Sequence, residues 1–144
     1  MGQQQLLLIV LSVIIVGVAV SVGVTQFQSS AMDSNRQAVI ADLVNYASKA
    51  QRFFRTPQQL GGGEQDFNGF TLNTIEQATA NGDYEVTATL PTGAAAVTAG
   101  GSISATATTI YIAASGRETG NDDTNPVKAF VTITADAITT TILN

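Results

Sequence analysis

The side chains that usually carry chemistry are scarce in this 144-residue chain. It has no His and no Cys. The common nucleophile–base triads and the usual zinc ligand sets are therefore excluded. Carboxylates remain, and after residue 57 they are Glu64, Asp66, Glu76, Asp83, Glu85, Glu118, Asp122, Asp123 and Asp136. They sit mainly in loop-like stretches or on the polar parity of strand-like ones, where a solvated charge is the ordinary outcome. The densest oxygen-rich run is Asn121-Asp122-Asp123-Thr124-Asn125. It lacks the spacing and the closing Glu of an EF-hand loop, so no metal ligand is assigned. The run Gly61-Gly62-Gly63 has no following Lys-Ser/Thr and no strand before it, so it reads as a connector rather than a phosphate loop. No catalytic, cofactor-binding or metal-binding residue is assigned, and the chain is not expected to be an enzyme. The net charge of −5, without a basic patch, also argues against nucleic-acid binding.

What the sequence does contain is an extreme of solvent preference. Residues 6–24 carry no charge, and their apolar run is interrupted only by Ser12, Gly17, Ser21 and Gly23. About 20 such residues at 1.5 Å each cross a hydrocarbon core. The segment is apolar all round, unlike a surface helix. Gly17 and Gly23 read as positions that let neighbouring helices approach closely.

The helical pattern does not stop at Val24. From Ser30 to Arg55 there is neither Pro nor Gly, and the apolar residues fall on one face. Met32, Val39, Leu43, Tyr46, Ala47, Ala50, Phe53 and Phe54 form that face at 100° per residue. Ser34, Gln37, Asn45, Ser48, Lys49, Arg52 and Arg55 form the other. Ser29-Ser30 followed by Asp33 is a candidate capping box for a separate second helix; a single continuous rod is the expectation. Thr56-Pro57 ends it, and Arg52 and Arg55 suit the negative end of the helix dipole.

The remainder is β-rich. Asn68-Gly69 and Asn81-Gly82-Asp83 mark turns, and Asn73 is placed to cap a short helix carrying Ile75. Tyr84, Val86, Ala88 and Leu90 alternate with Glu85, Thr87 and Thr89 up to Pro91, as in a half-buried strand. Residues 92–101 are loop-like. Residues 102–115 read as strand throughout, with a change of parity near Thr108-Thr109 that predicts a bulge. Residues 116–125 read as a polar loop. Val127, Ala129, Val131 and Ile133 alternate in the next strand, and residues 137–143 make the last, with Ile138 and Ile142 inward. Asp136 marks the turn between them. Four antiparallel strands with one apolar face need a cover. The helix face at Val39, Leu43, Tyr46, Ala50, Phe53 and Phe54 supplies it. The fold class is thus α+β, with residues 1–57 as the helix and residues 58–144 as a small β-rich domain.

An apolar half-helix that continues into an amphipathic half, followed by a small sheet domain, resembles the layout of type IV pilins, including pseudopilins and archaeal pilins. Gly2, just before Gln3-Gln4-Gln5, stands where that family's leader glycine stands. The chain differs from bacterial members in having Gln5 and Leu7 rather than an early Glu, and no mid-helix Pro. The resemblance implies cleavage between Gly2 and Gln3 by a prepilin peptidase, and methylation. It implies an inner-membrane anchor before assembly, and then a homopolymeric filament at the cell surface, built by pilus assembly machinery. The filament core would comprise Leu6, Leu7, Ile9, Val10, Leu11, Ile14, Ile15, Val18 and Val22. No cofactor is implied. A monomeric membrane-anchored binding module and a pseudopilin of a secretion machine are the alternative expectations.

N-terminal sequencing and intact mass of purified protein test the leader assignment. A chain beginning at Gln3 is expected, and a mature chain retaining Met1 overturns it.

Overall fold

The computed structural model describes residues 2–144; Met1, part of the expected leader, lies outside the described residues. One uninterrupted helix, α1, runs over Gly2–Arg55. At 1.5 Å per residue it is about 80 Å long. No second helix begins at Ser29-Ser30, because the backbone ladder passes through that point unbroken. The last turn closes on Thr56, whose N–H donates to the Arg52 carbonyl and whose hydroxyl does the same.

After a single 3₁₀ turn at Gln58–Leu60, a one-turn helix α2 spans Thr74–Gln77. Asn73 and Glu76 close a reciprocal capping box there. Ile75 points out and is 85 % exposed. The strands are β1 (Gly82–Thr87), β2 (Thr109–Thr119), β3 (Pro126–Thr134) and β4 (Ile138–Ile142). They form one antiparallel meander in the order β1-β2-β3-β4. The chain is therefore α+β, a long N-terminal helix packed on a four-stranded antiparallel sheet.

The amphipathic half of α1 meets one face of this sheet. Val39, Leu43, Ala47 and Ala50 are wholly buried, and Phe54 is nearly so. They face Tyr84 and Val86 from β1, Ile110, Ile112 and Ala114 from β2, and Ala129, Val131 and Ile133 from β3. Tyr46 and Phe53 are half-buried at the rim of this layer. Tyr46 meets Tyr84 edge-on at 5.0 Å, and Phe54 lies 4.7 Å from Phe67. Such pairs add about 0.5–1.5 kcal/mol to their area burial.

Several strand limits differ from those expected. β1 stops at Thr87, so Ala88 and Leu90 are outside the sheet and exposed. Residues 102–108 are not strand. They pair instead with residues 66–71: Phe67 N–H donates to Ala107 O, Gly69 N–H to Ile103 O, and Ile103 N–H to Phe70 O. The Asp66 carboxylate accepts from the Ala107 N–H at 2.8 Å. The parity change near Thr108 is thus the point where the chain enters the sheet, and the true irregularity falls between Ser115 and Thr119. β2 takes up Gly116 to Thr119, which shortens the following polar loop to residues 120–125. In β4, Ile138 is half-buried but Ile142 is 50 % exposed.

The far face of the sheet is not left to water. Residues 88–100 fold back across it. Lys128 Nζ, on a nearly buried side chain, donates to Ala95 O at 2.9 Å, and Val97 N–H donates to Ser115 Oγ. The strap ends by pairing Gly100 with both Tyr84 and Val86, which closes the outer edge of β1. Gly101 then turns with φ +88°, and a Cβ there would strike the Val86 carbonyl.

Leu43→Ala is expected to destabilise the domain by about 2–5 kcal/mol, the range for emptying a core position. Arg52→Ala, exposed on the opposite side of the same helix, is expected to cost less than about 0.5 kcal/mol. Thermal melting of the detergent-solubilised full chain reads both. Equal melting temperatures for the two variants would overturn the helix-on-sheet core.

Candidate assembly surface: the bare half-helix and its junction with the sheet

Two features of α1 stand apart from an ordinary soluble domain. The first is that residues 2–30 touch almost nothing. Leu6, Leu7, Ile9, Val10, Leu11, Ile14, Ile15, Val18 and Val22 are all more than half exposed. The helix is long and apolar enough to cross a membrane. Its polar side chains are partly neutralised against such a solvent: Ser12 Oγ donates to Ile9 O, and Thr25 Oγ1 donates to Ser21 O. Each bond places a hydroxyl proton on a carbonyl of the preceding turn, so that donor is satisfied without water. Around Gly17 and Gly23 nothing lies within 4 Å of a would-be Cβ, which leaves the helix flank open to a close neighbour.

The second feature is the junction, which holds the bare segment rigidly to the domain. Asn35, where the helix first meets the sheet, donates from Nδ2 to Asn81 O and accepts at Oδ1 from the Arg117 N–H. Gly116 is needed beside it, since a Cβ there would overlap the Asn35 amide. Asp42 accepts from Tyr84 OH at 2.7 Å and from Asn81 Nδ2 at 2.8 Å. Lys49 Nζ lies 2.6 Å from the Glu76 carboxylate of the α2 capping box. Gln51 Nε2 donates to Thr134 O, and Arg55 donates to Ala135 O. Lys49 is therefore part of the domain rather than of a free polar face. Asp42 likewise points inward and is committed within the chain.

The electrostatics follow from these contacts. Burial pushes the Tyr84 hydroxyl strongly upward, and the Asp42 hydrogen bond and charge push the same way. Tyr46 is raised by burial and then by the Asp42 and Glu76 charges. For Glu76 burial works upward, but the hydrogen bonds from Lys49 and the Asn73 N–H, with the Lys49 charge, leave it lowered.

At the end of the domain nearest the apolar half-helix, the 120–125 loop is closed by Asn144. Its side chain donates to Asp122 Oδ1, Asn125 O and Pro126 O. Asp122 also accepts from the Asn125 side chain and from the N–H groups of Thr124 and Asn125. These donors, the Asn125 side chain foremost, hold its carboxyl well below the usual carboxylate range. Between this loop and α1 lies a cleft of about 670 Å³, lined by Thr25, Gln28, Ser29, Met32, Glu118, Thr119, Gly120, Asn121 and Asp123.

Sequence periodicity reaches the apolar contacts but not the polar ones. Asn35, Asp42 and Asn144 carry no motif, and Asn81 is marked only as part of a turn. The one further signal is that Asp42 flanks an otherwise apolar stripe.

No protein-family model, curated protein or solved structure matches the chain. Its class rests on its own architecture: a long apolar N-terminal helix on a small antiparallel sheet, a layout consistent with that of pilins.

The Tyr84–Asp42 bond sets an alkaline limit. A raised folded-state pKa contributes stability that is complete below the unfolded value of 10.0 and lost as pH climbs above it. Unfolding free energy is expected to fall above pH 10 in the parent chain, and less steeply in Tyr84→Phe. Denaturant melts between pH 8 and 11 measure this; identical slopes would overturn it.

Proposed function

We propose that this chain is the structural subunit of an extracellular, type IV pilus-like helical filament, polymerising through its N-terminal helix. The observation that carries the proposal is the uninterrupted helix whose first half is bare and apolar while its second half is bolted to a folded domain.

The physical argument is one of solvent. Roughly twenty apolar residues exposed on all sides exceed what a soluble monomer tolerates. Lipid satisfies them first, so the subunit waits in the cytoplasmic membrane. Other copies satisfy them afterwards. Parallel helices bundle, their open flanks at Gly17 and Gly23 allowing close approach, and the sheet domains form an outer sheath. Successive head-to-tail contacts that do not close a ring continue as a filament. In this reading the residues Leu6, Leu7, Ile9, Val10, Leu11, Ile14, Ile15, Val18 and Val22 exchange lipid for protein. A prepilin peptidase acting at Gly2 and Gln3, and an assembly machine that extracts the helix from the bilayer, are the partners this implies.

The domain suits the role. It has no disulfide, yet the strap over one face and the helix over the other cover the sheet on both sides.

Leu11→Asp or Ile15→Asp is expected to abolish filaments while the domain keeps its melting temperature. A carboxylate at mid-span costs about 2.5–3.5 kcal/mol on insertion, and it finds no basic partner in an apolar bundle. Electron microscopy of sheared surface material reads the outcome. Normal filaments from either variant would overturn the helical core. A wild-type chain found only as a membrane-anchored monomer would overturn the filament itself.

A further inference from the structure

We infer that the cleft between α1 and the 118–123 segment is a socket for Arg52 of a second copy of this chain. The inference rests on the filament reading and adds to it a specific contact between copies.

The first observation concerns charge. The chain has six cations. Arg36 is paired with Asp33, Lys49 with Glu76, Arg117 with Asp83, and Arg55 reaches Ala135 O and Asp136. Lys128 is buried under the strap. Among the described residues, Arg52 is the one cation whose side chain has no acceptor, and it is exposed. The cleft shows the complement. Glu118 and Asp123 line it, both exposed, and neither carboxylate has a donor within the chain. Of the other charges nearby, Asp122 is matched by Asn125, Thr124 and Asn144, while Arg36 spends its terminal nitrogens on Asp33 and Asn121 and keeps a buried Nε without a partner. The remaining lining, Gln28, Ser29 and Thr119, supplies further oxygens for a guanidinium fork.

The second observation is placement. Arg52 lies about 180° around the helix from the buried Leu43. The cleft residues Thr25, Gln28, Ser29 and Met32 lie on the domain side of the same rod. Socket and plug are thus on opposite sides of α1, so one molecule cannot satisfy both with the same neighbour by a two-fold contact. A contact of this kind is heterologous and propagates.

The third is axial offset. The cleft is set at residues 25–32, so Arg52 lies about 30–40 Å further along the rod. With copies parallel and displaced by that amount, Arg52 of the lower copy faces the cleft of the upper one. The upper copy's bare half-helix then runs down along the inner side of the lower copy. One displacement therefore fills the socket and lays the bare half-helix alongside a second rod.

The test uses the full chain, which contains no cysteine. Arg52→Cys and Glu118→Cys are introduced together. Within one molecule Glu118 sits beside Asn35, about 25 Å along the axis from residue 52. That is far beyond the roughly 6 Å between Cα atoms that a disulfide spans, so every bridge formed joins two copies. Oxidised filaments are expected to give a ladder of covalent multimers on denaturing gels, whereas each single variant gives dimers at most. Filaments that assemble yet run as monomers after oxidation overturn the socket and leave the filament reading standing. Absence of filaments from the wild-type chain overturns both. A charge exchange tests the same contact without a bridge. Arg52→Glu and Glu118→Arg should each lose filaments at an unchanged melting temperature, and the two together should regain them. Failure of the exchange to restore what each single change removes overturns the pairing.

Discussion

The packing of Val39, Leu43, Ala47, Ala50 and Phe54 against the sheet is the contact on which the rest of the molecule depends. A domain of fewer than ninety residues buries too little of its own surface to be comfortable alone. Here the helix supplies the second layer of the core. Each apolar side chain brought from exposed to buried contributes about 1.5–3 kcal/mol, and the small Ala47 and Ala50 let the rod lie close to the strands. Remove the helix and Ile112, Val131 and Ile133 would face water. The helix that is long and apolar enough to cross a membrane is therefore also the element that completes the fold.

The polar contacts do different work. An apolar stripe on a regular rod tolerates sliding by a turn, since every position along it is roughly equivalent. Asn35, Asp42, Lys49 and Gln51 remove that freedom, because each bonds particular atoms of the domain that only one register brings into reach. Asp42 is the clearest case. Its carboxylate accepts both the Tyr84 hydroxyl and the Asn81 amide, and a one-turn slip would leave buried donors unpaired, at about 1–3 kcal/mol each. Burial area gives the docking its strength, and these bonds give it a single register.

Periodicity explains what is legible in the sequence. A 3.6-residue repeat that lasts for 25 residues without Pro or Gly specifies a helix and its buried face, and α1 follows it from end to end. Alternation over β3 is equally readable, and over β1 as far as Thr87, beyond which Ala88 and Leu90 keep the pattern without the strand. Residues 102–108 are not, because Ile103, Ala105 and Ala107 alternate as a strand would although their partner is the irregular 66–71 segment and not the sheet. The strap at 88–100 escapes for a related reason. Its Ala- and Thr-rich composition looks like a loop, and nothing local reports that Lys128 and Ser115 wait across the sheet for Ala95 and Val97. Long-range hydrogen bonds by single residues leave no period to detect. The candidate socket shares this property, being assembled from residues some ninety positions apart in the chain.

Continuity of the helix across residues 24–35 has a mechanical consequence. Had the rod broken at Ser29-Ser30, the sheet domain would swing freely on the apolar half, and the position of Arg52 relative to the cleft on another copy would be averaged over many orientations. Every contact between copies would then carry the entropic cost of ordering the hinge. An unbroken backbone ladder removes that cost in advance. It fixes both the azimuth and the axial height of the domain with respect to the apolar half. In the filament reading, packing of the bare helices and seating of the domains therefore become one geometric condition rather than two. Several contacts that are weak singly are then satisfied together by the same displacement, which is how a surface ion pair worth about 0–1 kcal/mol in isolation comes to select a register for the whole assembly.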